Sequence, residues 1–224
     1  MTVRAPLAAL PRLGPVTSPE RAIDAVVLDV GGVVLDWSPR YLFDELITEE
    51  ADREFFFGTV CPPAWNNAQD AGRSWAEAVD EAIGRHPDHA EHIRAYDEHW
   101  LRTVAGLIDG TVEIFAELRT VGVPVYALTN FSAEKWPLAV AQWEPLQWFD
   151  GAVVSGFERV VKPGPDIFRL LLDRFGLEAG RTFFTDDTPV NVDGARAVGL
   201  VAELFTHPAA LRAQLADLGV LAAD

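Results

Sequence analysis

The stretch Ala25-Val26-Val27-Leu28-Asp29-Val30-Gly31-Gly32-Val33-Val34 constrains this chain more than any other. An unbroken apolar run rich in β-branched residues reads as a strand buried on both faces, as in the middle of a parallel sheet. It is interrupted by a carboxylate and then by paired glycines, so Asp29 falls where a central strand ends. Open α/β sheets bind ligands in the crevice outside the carboxyl ends of their strands, and an acid delivered there is a candidate for chemistry. A helix-capping or turn aspartate followed by turn glycines fits the same letters. The rest of the chain decides between them.

Strand and helix alternate from about residue 111 to the end. Strands are predicted at 124–128, 151–155, 182–184 and 200–204, and helices at 111–120, from about 133, at 166–175, at 190–198 and from 208. Helices of this length between strands imply right-handed crossovers, hence an α/β fold: a Rossmann-like parallel sheet with helices on both faces. From about 39 to 104 the apolar spacing is helical throughout, giving an inserted all-helical unit of four helices. Within it, the polar stretch 61–72, punctuated by Trp65, reads as a long loop. The organisation is therefore an N-terminal arm (1–21), a core (22–36 and 105–224) and a helical insertion (37–104).

Length and charge narrow the function. The 224 residues suit one such domain with a modest insertion, and no apolar run approaches the roughly 20 residues that cross a bilayer. The arm carries Arg4, Arg12 and scattered prolines but no continuous signal-peptide core, and the single cysteine, Cys61, permits no internal disulfide. A cytoplasmic protein, a monomer or a homodimer, is expected. A net charge of −16 with no basic stripe disfavours nucleic acid as a partner. A small anionic substrate needs a local cation, and the chain has only two lysines, Lys135 and Lys162.

Three predicted strands end in polar residues at one sheet edge: Asp29, Thr129-Asn130 and Asp186-Asp187. Lys162 lies on the loop after a fourth strand. Each has an ordinary reading as a turn or surface residue, but their order and common edge argue for a site. His86, His89, His92 and His99 invite a metal reading that Pro87 interrupts, and a solvated helical surface fits them better. Asp36, Arg40 and Asp109 are explained equally well by capping, exposure or turns.

These residues carry a resemblance to the haloacid dehalogenase superfamily, extending from about residue 22 to 218. The first motif matches Leu28-Asp29-Val30-Gly31-Gly32-Val33, the second Leu128-Thr129-Asn130, the third Val161-Lys162-Pro163. The fourth matches Phe183-Phe184-Thr185-Asp186-Asp187, with Asn191 four residues on. The helical insertion after the first motif resembles the cap of the subfamily that includes dehalogenases and small-metabolite phosphatases. The resemblance implies a hydrolase in which Asp29 is the nucleophile and forms an acyl phosphate. Asp29 with Asp186 and Asp187 crowds three carboxylates against one lysine. At about 4 Å and an effective dielectric near 20, each like-charged pair costs on the order of 4 kcal/mol, so a cation is expected, and oxygen-only ligands favour Mg2+. By resemblance, Asp29, Asp187 and the Gly31 carbonyl bind it, with Asp186 and Asn191 acting through water or from behind. Lys162, the Thr129 hydroxyl and the Asn130 amide meet the phosphoryl oxygens.

One position departs from the pattern. Phosphatases of the superfamily usually carry a second aspartate, a general acid and base, two residues after the nucleophile; this chain has Gly31. A small phosphorylated metabolite such as a sugar phosphate is the expected substrate, with the leaving group protonated by water, by the substrate or by an insertion residue such as Asp70. Trp65, on the expected loop, is the aromatic candidate for the substrate pocket. A metal-free 2-haloacid dehalogenase also lacks the second acid, but its pattern has Ser-Asn where Thr185-Asp186 stands and an arginine in the region of 57–65, which has none. A non-catalytic binding protein on the same fold is the third reading.

Overall fold

The computed structural model of the protein describes residues 22–222, and the proposed arm lies outside them. Along the chain run β1 (Ala25–Leu28), β2 (Leu35–Trp37), α1 (Arg40–Leu46), α2 (Glu50–Phe55), α3 (Pro63–Asp70), α4 (Trp75–Arg85), α5 (Ala90–Glu98) and β3 (Val104–Leu107). Then follow α6 (Asp109–Thr120), β4 (Val125–Thr129), α7 (Trp136–Gln142), β5 (Gly151–Val154), α8 (Ser155–Glu158), α9 (Pro165–Phe175), β6 (Thr182–Asp186), α10 (Pro189–Ala197), β7 (Val201–Leu204) and α11 (Pro208–Asp217).

The sheet has the order β5-β4-β1-β6-β7, all pairs parallel, with β1 at its centre. Every residue of β1 is buried, as its apolar run requires, each large side chain contributing about 1.5–3 kcal/mol by leaving water. One face packs Ile114, Phe115 and Leu118 of α6, the other Ile167, Phe168 and Leu171 of α9. Local signals set the helix ends: Pro165 opens α9 and Gly176, at φ +64°, closes it. Among the described residues no helix is long and apolar enough to cross a membrane.

Two stretches differ from the sequence expectation. The first is 61–72, expected as a loop, where Pro63 at the first helical position opens α3. Its inner face consists of Trp65 and Gln69 alone, so no apolar periodicity announced a helix. The second is the pair of entry points to the insertion. There β2 and β3 form a two-stranded antiparallel ribbon, with an irregularity at Asp36/Trp37. Three- and four-residue strands paired across the whole insertion leave little local trace.

The helices between β2 and β3 pack on an aromatic core: Trp65 meets Trp75 and Tyr96 at ring distances of 5.5 and 5.4 Å, and Phe43 meets Phe56 at 4.6 Å. They are fastened to the carboxyl edge of the sheet by the segment after β4. Trp75 Nε1 donates to Ser132 Oγ (2.9 Å) and the Trp75 backbone N–H to Glu134 Oε1 (3.0 Å). The buried Lys135 pairs with Asp97 and lies 4.6 Å above the Trp75 ring.

Candidate active site

The parallel sheet brings the strand ends together by construction. β1 delivers Asp29 and β6 delivers Asp186 with Asp187, so one oxygen from each carboxylate lies within 4.8 Å of the others. Lys162, from the segment between α8 and α9, enters between them. Its ammonium donates to Asp186 Oδ2 at 2.6 Å, Asp29 Oδ1 at 2.9 Å and the Leu128 carbonyl at 2.9 Å. Burial works against that ammonium, but Asp29 and Asp186 outweigh it and hold its pKa above the usual lysine range.

The two carboxylates share the ammonium unequally. Asp186 is fully buried and accepts further bonds from the Thr188 N–H (2.8 Å) and from Asn191 Nδ2 (3.0 and 3.1 Å). Asp29 has Lys162 and its neighbouring Val30 N–H, at 2.7 Å, both on Oδ1. Burial and then the negative charge of Asp186 raise the Asp29 pKa despite the pull of Lys162. Asp187 is exposed, and desolvation of its carboxylate together with the charge of Asp186 raises its pKa as well. A divalent cation fits these donors. Asp186 has both oxygens occupied by nitrogen donors, whereas Asp29, whose Val30 and Lys162 contacts are both on Oδ1, and Asp187 line an open cavity. Asp186 thus anchors Lys162 and Asn191 rather than offering a free oxygen.

The backbone around Asp29 is tightly turned. The Val30 carbonyl accepts from the N–H groups of Val34 and Leu35, and Gly32 sits at φ +75°. A Cβ at Gly32 would lie 2.2 Å from Asp187 Oδ2, so only glycine admits the Asp187 carboxylate there. A Cβ at Gly31 would meet nothing within 4 Å.

Two residues at the end of β4 are placed differently from the sequence expectation. The Asn130 amide is taken up by the Lys162 backbone: its Nδ2 donates to the Lys162 carbonyl (3.0 Å) and its Oδ1 accepts from the Lys162 N–H (2.9 Å). It positions the lysine loop instead of offering its amide to a phosphoryl oxygen. Thr129 is 1% exposed at the end of β4 and lies behind the cavity wall, which at this strand is made by Asn130, Phe131 and Ser132.

The cavity has a volume of about 560 Å³. Its floor is formed by Asp29, Gly31, Lys162, Asp187 and Asn191, and its roof by Asn66, Asn67 and Asp70 of α3 with Trp100. Trp37, Phe131 and Val190 supply apolar walls. Among the described residues that line it, Lys162 is the sole cation. Trp65, expected to line the substrate pocket, does not: it is 5% exposed in the aromatic core of the insertion, with Nε1 donating to the Ala78 carbonyl at 3.2 Å. Reading α3 as a loop hid the reason, because on a helix Trp65 and Gln69 share one face while Asn66, Asn67 and Asp70 point elsewhere. Trp37 and Trp100 escaped notice because they lie toward opposite ends of the insertion and come to one cavity only in the fold.

The other sequence candidates lie away from the cavity. His89 and His92 pack against Phe55 and Phe56. Arg40 is in a surface network with Asp44, Glu50 and Glu54, and Asp36 accepts from the Tyr41 hydroxyl at 2.8 Å. Burial pushes the Cys61 thiol up to about 12, which makes it a packing residue and not a nucleophile.

Comparison with known proteins agrees with this architecture. The chain is similar to a haloacid dehalogenase family enzyme from Bacteroides thetaiotaomicron, with a TM-score of 0.69 and 20% identity over 84% of this chain and 95% of that one; the magnesium complex of that enzyme matches with a TM-score of 0.66. The same enzyme has been crystallised with magnesium and inorganic phosphate. The present chain is also 31% identical over 105 residues to a sesquiterpene phosphatase, astK, of Aspergillus oryzae; the match covers 47% of this chain and only 54% of the relative's length. A third likeness, 25% over 189 residues, is to the protein CbbY of Cupriavidus necator, covering 80% of this chain and 68% of the relative. The family model for haloacid dehalogenase-like hydrolases matches residues 23–199, and with Asp29 at the end of β1, the buried Lys162 and the paired Asp186 and Asp187 in place the chain belongs to that family of hydrolases.

Proposed function

We propose that the protein is a Mg2+-dependent phosphohydrolase that removes a single phosphoryl group from a small neutral alcohol through an aspartyl phosphate on Asp29. The observation that carries the reading is the charge layout of the cavity. Three carboxylates and one ammonium are packed at its closed end, and the described walls beyond them hold no further cation. Such a layout accepts one phosphoryl group with a cation and offers nothing to a second anionic group. A 2-haloacid would bring a carboxylate to walls with no arginine among the described residues. Trp37, Trp100, Phe131 and Val190 favour an alcohol with an apolar or planar part, and Asn66 and Asn67 can bond its hydroxyls. The partial likeness to a sesquiterpene phosphatase and the magnesium and phosphate in the Bacteroides enzyme support the same reading.

Asp29 and Asp187, with the Gly31 carbonyl, are the groups to hold the metal, which when bound neutralises the phosphoryl oxygens. Lys162 pairs with Asp29 and meets the same oxygens. Asp186 and Asn191 hold Lys162 and the start of α10 in place. The helical insertion, residues 37–104, acts as a cap that closes the cavity and excludes water. Hydrolysis of an aryl phosphate by the purified protein, with Mg2+ and then with excess chelator, tests this. Metal-dependent turnover is expected; turnover unaffected by the chelator contradicts it, and so does silence across aryl and alkyl phosphates.

A further inference from the structure

Three carboxylates line the cavity, and the reading above employs two of them, Asp29 and Asp187. The third is Asp70, at the last turn of α3 and on the opposite wall from the strand ends. It is held from both sides of the cavity. Asn66 Nδ2 donates to its Oδ2 at 3.3 Å, the Ser132 backbone N–H donates to its carboxylate, and its own carbonyl accepts from Ser155 Oγ at 2.5 Å. Ser132 and Ser155 belong to the core, so Asp70 is fixed relative to Asp29 although it sits on the insertion. Among the described residues no cation forms an ion pair with it.

We propose that Asp70 is the general acid and base of the reaction, standing in for the acid that is absent at Gly31. This rests on the phosphohydrolase reading. In the first step an Asp29 oxygen bonds to phosphorus, the phosphorus–oxygen bond to the alcohol breaks, and the departing oxygen takes the proton of the Asp70 carboxyl. In the second, water attacks phosphorus, gives a proton to the Asp70 carboxylate, and the bond to Asp29 breaks; inorganic phosphate leaves and both carboxyl groups return to their starting states. Atoms and protons balance with no other reactant.

The surroundings suit that duty. Burial, followed by the charge of Asp29, pushes the Asp70 carboxyl up to about 7, against the weaker pulls of Lys162 and the Ser132 N–H. The remaining titratable neighbours are Asp187 on the floor and Tyr96 in the insertion core, whose hydroxyl burial keeps protonated. A group poised near neutrality can both give and take a proton, which typically contributes about 10²–10⁴ in rate. Gly31 supplies an independent handle. It lines the same cavity, has an ordinary backbone conformation, and leaves its Cβ direction empty.

The test compares two esters on the wild type, Asp70→Asn and the double variant Asp70→Asn/Gly31→Asp. An alkyl phosphate has a leaving group that needs a proton, whereas a nitrophenyl phosphate does not. Asp70→Asn is expected to lose about 10²–10⁴ in turnover of the alkyl ester. With the aryl ester it should release one equivalent of nitrophenol at a near wild-type rate and then slow, because water lacks its base. The alkyl activity of the wild type should fall as pH rises through about 7, where the donor loses its proton, and the variant should lack that limb. The double variant should regain alkyl turnover. An aryl-to-alkyl ratio of first-turnover alcohol release that is unchanged by Asp70→Asn overturns the assignment, since a merely structural loss would lower both esters alike. A wild type inactive on both esters overturns the phosphohydrolase reading as well; an active wild type with an unchanged ratio overturns the Asp70 assignment alone.

Discussion

The floor and the roof of the cavity are built on different principles. The floor is a network of charged hydrogen bonds in which Lys162, Asp29, Asp186, Asn191 and the Thr188 N–H saturate one another at 2.6–3.1 Å. The roof rests on packed rings, Trp65 on Trp75 and Tyr96, and presents amides and one acid from α3. A saturated ionic floor fixes where the phosphoryl group and its charges go. A roof that owes its stability to apolar packing behind the cavity leaves its facing residues free to vary with the leaving group.

The contrast makes graded predictions. Removing the shared cation should hurt the floor most: Lys162→Met strands the buried Asp29 and Asp186 and is expected to cost about 3–5 kcal/mol in urea unfolding without metal. Added Mg2+ should return part of that loss, and an unaltered midpoint would mean that the network carries no strain to relieve. The paired glycines give a finer contrast. Gly32→Ala forces a Cβ against Asp187 and a left-handed conformation on alanine, for about 1–2 kcal/mol and a weakened Mg2+ affinity by calorimetry. Gly31→Ala, with open space, should stay within about 0.5 kcal/mol. If the two glycines respond alike, the turn geometry is wrong.

A change in the apolar walls should leave the floor untouched. Trp37→Ala is expected to raise KM about tenfold for an ester with a bulky apolar alcohol while kcat holds, because the ring touches the leaving group in ground and transition states equally. A loss confined to kcat would place Trp37 in the chemistry instead.

The same division explains what the sequence revealed. Asp29, Lys162, Asp186 and Asp187 were legible because a parallel sheet gathers strand ends at one edge whatever else happens. The five parallel strands followed from the same logic. The roles of Asn130 and Thr129 were not legible, because an amide beside a site can bond backbone or substrate, and only the 2.9 and 3.0 Å contacts to Lys162 decide. The roof was hidden twice over. The inner face of α3 uses a buried glutamine, Gln69, held by Arg73 Nε at 2.8 Å, where periodicity looks for an apolar residue. Trp37 and Trp100, far apart in sequence, reach one cavity only in the fold, where β2 and β3 pair.

The most direct test of the central claim is to quench the enzyme during turnover of a phosphate ester in Mg2+ and map the phosphoryl group by peptide mass spectrometry. Phosphate is expected on Asp29, absent in Asp29→Asn and, with an aryl ester, accumulating in Asp70→Asn. Turnover with Asp29 unmodified in all three, or an active Asp29→Asn enzyme, would contradict it.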